Sequence, residues 1–193
     1  MESERDEVEL AGQRKPLKAW VLRRLAGKQG KPVPLASVRS VLILRYDRIG
    51  DMIVTTPLFR EIKRYFPQWQ LTVLASAANA GVLQNNPHID AVYLNHKHHF
   101  FSDLKVLWRL RRRRFDLCIE LDHSVVMHAI LRIRLIRPRA VVALHKDGRY
   151  GVPGTALGLY SQYASRTEGS HFRTQWTNIL RCFDGDPVSY AYE

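Results

Sequence analysis

Ser40-Val-Leu-Ile-Leu44 runs directly into Arg45-Tyr-Asp-Arg-Ile-Gly-Asp51. An apolar run with no polar alternation is the pattern of a strand covered on both faces, as in a parallel sheet. The loop after it is polar and carries a glycine, which permits a tight turn between strand and helix. Beyond the loop, Val54, Leu58, Ile62 and Tyr65 fall on one helical face, and Pro67 stops the pattern. The spacing predicts one helix over Asp51–Phe66, kinked near its first turns by Pro57. Strand, polar loop and amphipathic helix together are the unit of a doubly wound α/β fold.

The unit repeats down the chain. Leu71–Ala75, Ala91–Leu94, Phe115–Glu120 and Ala140–Leu144 read as further strands. Ala77–Gln84 reads as a short helix. Ser102–Arg113 reads as a helix capped by Ser102, with Leu104, Leu107, Trp108 and Leu110 turned inward. Ser124–Leu135 is another helix, with Ser124 as its cap. Lys146–Thr167 has little apolar period and reads as a long loop. His171–Phe183 closes the chain as a helix that lays Phe172, Trp176, Ile179, Leu180 and Phe183 on the sheet. Five strands alternating with helices predict a parallel, Rossmann-like sheet over residues 37–193, with Val41–Leu44 central and right-handed crossovers.

Residues 1–36 differ in composition. The first twelve are acidic without a core pattern, which predicts disorder. Between Arg14 and Lys31 there are seven basic residues and no acid, and Leu17, Trp20, Val21, Leu22 and Leu25 recur at helical spacing. Such a helix either packs on the domain with its basic face in water or meets an anionic membrane surface. Gly27, Gly30, Pro32 and Pro34 then form a linker.

With 46% hydrophobic and 25% charged residues, the 193-residue chain is neither disordered nor collagen-like nor a multispanning membrane protein. Cys118 and Cys182 form no close pair, so reduced thiols are expected. No apolar run reaches membrane-spanning length, and the acidic start is unlike a signal peptide; a cytoplasmic location is expected. The outlier is charge: 30 Lys and Arg against 18 Asp and Glu give +12, which favours an anionic partner.

In a doubly wound sheet, ligands bind beyond the carboxyl ends of the strands. Five polar loops are predicted there: Tyr46–Asp51, Ser76–Asn79, Asn95–Phe101, Leu121–Ser124 and His145–Gly151. In the first, Asp51 sits at a helix start, where it serves either as an N-cap or as a carboxylate aimed at substrate. Neither a G-x-G-x-x-G nor a P-loop pattern is present, which argues against a bound dinucleotide. His96, His98 and His99 lack a carboxylate or Cys at ligand spacing, so no metal is expected. On the fourth loop, Asp122 is either a second carboxylate or a turn residue, and His123 is placed to touch a ligand. Arg45, Arg48, Arg60, Lys63 and Arg64 surround or follow the first loop and could grip an anionic ligand, while Arg111–Arg114 complement a helix end.

The stretch from Val41 through Arg45-Tyr-Asp-Arg-Ile-Gly-Asp51 to Tyr65-Phe-Pro67 resembles the start of the family 9 glycosyltransferases, the heptosyltransferases of lipopolysaccharide inner-core synthesis. Leu71–Ala75, Asn86-Pro-His-Ile-Asp90 and Phe115–Glu120 resemble the family's next strands, so the likeness covers about residues 38–185. The resemblance implies a GT-B enzyme that transfers heptose from ADP-heptose to a lipid A core sugar with inversion and without a metal cofactor. It implies Asp51 as the general base; by their charge and place, Arg45, Arg48, Gly50, Arg60, Lys63, Arg64, Asp122 and His123 are then expected around the acceptor. It also implies a second, donor-binding domain. The expectation is therefore an acceptor-binding half: a truncated product, one piece of a split enzyme with a second chain supplying the donor half, or a relic that kept the fold without the reaction. A basic nucleic-acid-binding domain is the remaining reading, although the arginines are scattered over separate elements.

Overall fold

The structure is a computed structural model and describes residues 16–27, 31–96, 99–150, 152–154, 157–165, 171–185 and 191. The acidic start, His98 and the side chain of Phe172 lie outside the described residues.

Among the described residues, six parallel strands form one sheet in the order β3-β2-β1-β4-β5-β6. They are β1 (Ser40–Leu44), β2 (Gln70–Ser76), β3 (Ala91–Asn95), β4 (Leu117–Glu120), β5 (Ala140–Leu144) and β6 (Gln162–Ala164). β1 is interior, pairing with β2 on one side and β4 on the other. Its side chains alternate: Val41 and Ile43 enter one core cluster, Leu42 and Leu44 the other. That two-sided burial is why the sequence shows an unbroken apolar run.

The helices are α1 (Pro16–Ala26), α2 (Ile49–Ile53), α3 (Thr56–Tyr65), α4 (Phe100–Arg112), α5 (Met127–Ile136) and α6 (Phe172–Thr177), which tightens into a 3₁₀ turn over Asn178–Phe183. On one face of the sheet, Leu58, Phe59 and Ile62 of α3 pack with Trp69, Trp176 and Phe183. Phe66 stacks on Trp69 at 4.0 Å between ring centroids, and Phe183 meets Trp69 edge-on at 5.5 Å. On the other face α1, α5 and α4 contribute Leu22, Ile130, Ile133, Leu107 and Leu110. Among the described residues, no helix is long and apolar enough to cross a membrane.

Several local expectations change. The predicted helix at 51–66 is two helices, and Pro57 lies in the first turn of α3, where its missing N–H has no intrahelical partner to lose. α4 begins at Phe100, so Ser102 is inside the helix and caps nothing. Its buried stripe is Val106, Leu107 and Leu110, while Leu104 and Trp108 face outward. The helix carries apolar residues on two faces, and periodicity alone does not say which one packs. α5 begins at Met127, and Ser124 instead bridges to Asp147. The predicted long loop contains β6, three residues at the sheet edge, too short for a visible period. The same segment folds back on the backbone that follows β5: a Cβ on Gly154 would lie 1.9 Å from the Lys146 carbonyl, so only glycine fits there.

Candidate functional site

β1 and β4 run parallel, but the order in which strands are added reverses between them, so the loops leaving their carboxyl ends diverge and open a crevice. Arg45 opens the first loop and is almost completely buried. Its guanidinium donates to the Asp47 carboxylate at 3.0 Å, to the Asp51 carbonyl at 3.2 Å and to the Leu121 carbonyl at 3.4 Å. Nη2 lies 3.6 Å from the Asp51 carboxylate. The guanidinium also covers the Trp176 ring at 3.9 Å. Burial pulls the Arg45 pKa down, and the charges of Asp47, Asp51, Asp122 and Glu120 oppose that pull. A single buried cation thus ties together the loops after β1 and β4 and the C-terminal α6.

Asp51 is the third residue of α2, not its cap; Arg48 occupies that position without a side-chain cap bond. The carboxylate is one-third exposed and stands in the first helical turn, where backbone N–H groups favour negative charge. Its own carbonyl also accepts from Thr55 Oγ at 2.6 Å. Gly50 has no left-handed backbone, so the turn does not require glycine's freedom. A Cβ there would meet nothing within 4 Å, so the backbone before Asp51 faces open space.

The second loop is built on a buried pair. Glu120 ends β4 and Lys146 follows β5, and their side chains, at most 1% exposed, form an ion pair. Tyr160 donates its hydroxyl to Glu120 at 3.1 Å. The other Glu120 oxygen accepts the Asp122 backbone N–H at 2.7 Å, and Lys146 donates to the Asp122 carbonyl at 2.6 Å. Burial, with the charges of Glu120 and Asp47, raises the Asp122 carboxyl to about 9. Burial and the neighbouring carboxylates thus favour the protonated, hydrogen-bond-donating form of Asp122 over the carboxylate. His123 stacks on Trp176 at 5.6 Å.

From the β2 loop, buried Asn79 accepts the Ser76 N–H at 2.8 Å and donates to the Arg45 carbonyl at 3.1 Å. The sequence placed Ser76–Asn79 at this edge but did not single out Asn79, nor Glu120, Lys146, Tyr160 or Trp176 as parts of the site. Their polar roles arise from partners brought in by separate strands.

The structure brings Arg45, Asp47, Gly50, Asp51, Asp122 and His123 to one edge, with exposed Arg48 on the same loop. It does not bring Lys63 there. Lys63 Nζ is bound to the Trp69 carbonyl and to Asp90, both 2.7 Å away, at the amino ends of β2 and β3. Arg64, one residue further along α3, pairs with Glu61, and Arg60 pairs with Glu61 and donates to the Ala191 carbonyl. α3 descends about 1.5 Å per residue, so its later basic residues leave the Asp51 edge behind.

No family model matches the chain. In sequence, 103 residues, 49% of this chain, are 31% identical to lipopolysaccharide heptosyltransferase 3 of Escherichia coli and span 29% of that protein. In fold, the E. coli heptosyltransferase WaaC solved with ADP-2-deoxy-2-fluoro heptose superposes with a TM-score of 0.64 at 15% identity, covering 79% of this chain and 52% of that one. The family 9 glycosyltransferase of Veillonella parvula superposes with a TM-score of 0.62 at 14% identity, covering 80% of this chain and 43% of that one. The resemblance to family 9 glycosyltransferases therefore holds in sequence over about half the chain and in fold over about four-fifths. The chain spans less than a third of the curated relative's length and about half of the solved chains it matches.

Proposed function

We propose that this chain is the acceptor-binding half of an inverting glycosyltransferase of the heptosyltransferase type, with Asp51 as its general base. One observation carries the reading: a partly exposed carboxylate stands at the switch point of the sheet, with a buried arginine holding its backbone and lying beside its carboxylate. In the reaction, an acceptor hydroxyl attacks the anomeric carbon of a nucleotide-diphosphate sugar from the side opposite the leaving group. The new C–O bond forms as the bond to the diphosphate breaks, the hydroxyl proton passes to Asp51, and the diphosphate departs with the bonding electrons. Asp122, protonated, would donate a hydrogen bond to an acceptor oxygen. Arg48 and His123 stand where an acceptor phosphate or acidic sugar would approach.

On this reading the donor is ADP-heptose or a similar nucleotide sugar, and the acceptor is a lipid A core sugar. The donor half of the cleft comes from residues outside this chain, in the same polypeptide or a second one. Residues 14–31 would rest on the anionic cytoplasmic face of a membrane, where such an acceptor resides. Calorimetry on the 193-residue chain tests the division of labour. A phosphorylated inner-core oligosaccharide should bind, and ADP-heptose should bind negligibly and be turned over not at all. Tight ADP-heptose binding or turnover by this chain alone would refute the half-site assignment.

A further inference from the structure

Helix α5 packs against both α1 and α4, so the three lie side by side over one face of the sheet. Arg134 of α5 bonds the Leu25 carbonyl of α1, and Arg111 of α4 donates to the Leu135 carbonyl of α5 at 3.0 Å. Their outer surface is unusually apolar. Trp20 is 63% exposed on α1, and Phe100, Phe101 and Trp108 are 74%, 84% and 54% exposed on α4. Leu104 on α4 and Leu131 and Leu135 on α5 are also exposed between them. Isolated exposed apolar side chains need no explanation, but an array on three adjacent helices does.

The same helices are strongly basic. α1 carries Lys18, Arg23 and Arg24, and α4 carries Lys105, Arg109 and Arg112 on exposed positions. The one acid on the three helices is Asp103, and it is paired to Arg132 at 2.9 Å. Where α1 and α5 end, a cleft of about 520 Å³ is lined by Arg24, Arg134, Arg137 and Arg139 over Ile133 and Leu159. An arginine-rimmed cleft with an apolar floor matches an anionic lipid headgroup above its acyl chains.

We infer that the α1–α5–α4 face docks on an anionic lipid bilayer, with Trp20, Phe101, Leu104 and Trp108 entering the interface and the arginine cleft taking a headgroup phosphate. Charge decides among occupants. A second copy would bring its own basic face against this one. Nucleic acid would satisfy the cations but leave Leu17, Leu104, Leu131 and Leu135 without partners. A bilayer interface accepts aromatic and aliphatic side chains together with a basic rim. The inference goes beyond contact through residues 14–31, because it places α4 in the contact, and it stands whether or not the cleft at Asp51 transfers a sugar. Phe100 and Phe101 open α4 just beyond the carboxyl end of β3, and the arginine cleft lies at the amino end of β5, so the contact runs the length of the helical face.

The experiment is partitioning onto phosphatidylcholine vesicles with and without phosphatidylglycerol. The chain should bind the anionic vesicles, release them as salt rises and ignore the neutral ones. Trp69 and Trp176 are fully buried, so in Trp20→Phe the exposed tryptophan is Trp108, and its emission should shift to shorter wavelength on binding. Phe101→Ser with Leu104→Ser, both exposed and expected to fold, should lower the partition coefficient at least tenfold, checked against an unchanged circular dichroism spectrum. Arg109→Gln with Arg112→Gln should lower it about fivefold per charge. Three results would each overturn the inference: no partitioning onto anionic vesicles, bound protein with unshifted Trp108 emission, or binding that survives the α4 substitutions and is lost only on deleting residues 1–31.

Discussion

Arg45 holds Asp51 at two places: its Nε donates to the Asp51 carbonyl at 3.2 Å, and its Nη2 lies 3.6 Å from the Asp51 carboxylate. The carboxylate stays reachable from solvent while the group beside it is buried. The arrangement fixes where the carboxylate points without enclosing it, which is what a base that must meet an incoming hydroxyl requires.

Replacing Arg45 tests that arrangement. Arg45→Lys keeps the charge but cannot reach Asp47, the Asp51 carbonyl and the Leu121 carbonyl from one planar fork. A stability loss of about 1–3 kcal/mol is expected by urea unfolding, the scale of hydrogen bonds to charged groups. In a complete enzyme the transfer rate should fall as well. Wild-type stability in Arg45→Lys would mean that the fork contributes little.

Lys146 and Glu120 should behave as a unit. Lys146→Met leaves the Glu120 carboxylate buried without its cation, which should cost about 3–5 kcal/mol. Adding Glu120→Gln should recover much of that loss, because the uncompensated charge goes with it. Additive losses in the double variant would contradict a coupled pair.

Asp122 predicts a pH dependence. Its folded-state pKa of about 9 lies far above the roughly 3.9 of an unfolded aspartate. Between those values the native state keeps a proton that the unfolded chain releases, so this group's contribution to stability falls as pH rises through the window. Asn cannot ionise and mimics the protonated acid. Asp122→Asn should match wild type near pH 4 and be progressively more stable toward pH 8, read as a gap in Tm that widens with pH. A difference that shrinks with rising pH would mean that native Asp122 is ionised.

How much of this was legible in the sequence follows from which interactions are local. Val41–Leu44 announced a central parallel strand because burial on both faces leaves an unbroken apolar run. Gln162–Ala164 announced nothing, because a three-residue edge strand with an exposed first residue has neither run nor period. Leu104 and Trp108 fit an inward face as well as an outward one; the packing of α4 on α5 decided between them. At the site, Asp51, Asp122 and His123 were visible from their place after strands. Lys63 and Arg64 were misplaced because helical spacing says which residues share a face but not how far along the helix the site extends. Glu120, Lys146 and Asn79 acquire their roles from partners 24 to 40 residues away, and no local pattern encodes those pairings.

The most direct test of the account is the transfer rate of Asp51→Asn, measured with this chain joined to a matching donor-binding domain. Asn keeps the size of the side chain at a position that caps nothing, so stability should stay within about 1 kcal/mol of wild type. It cannot take the acceptor's proton, so kcat should fall about 10²–10⁴-fold while the acceptor KM changes little. A kcat near wild type in a stably folded Asp51→Asn enzyme would contradict the central claim and move the base to Asp47, the other carboxylate that Arg45 holds.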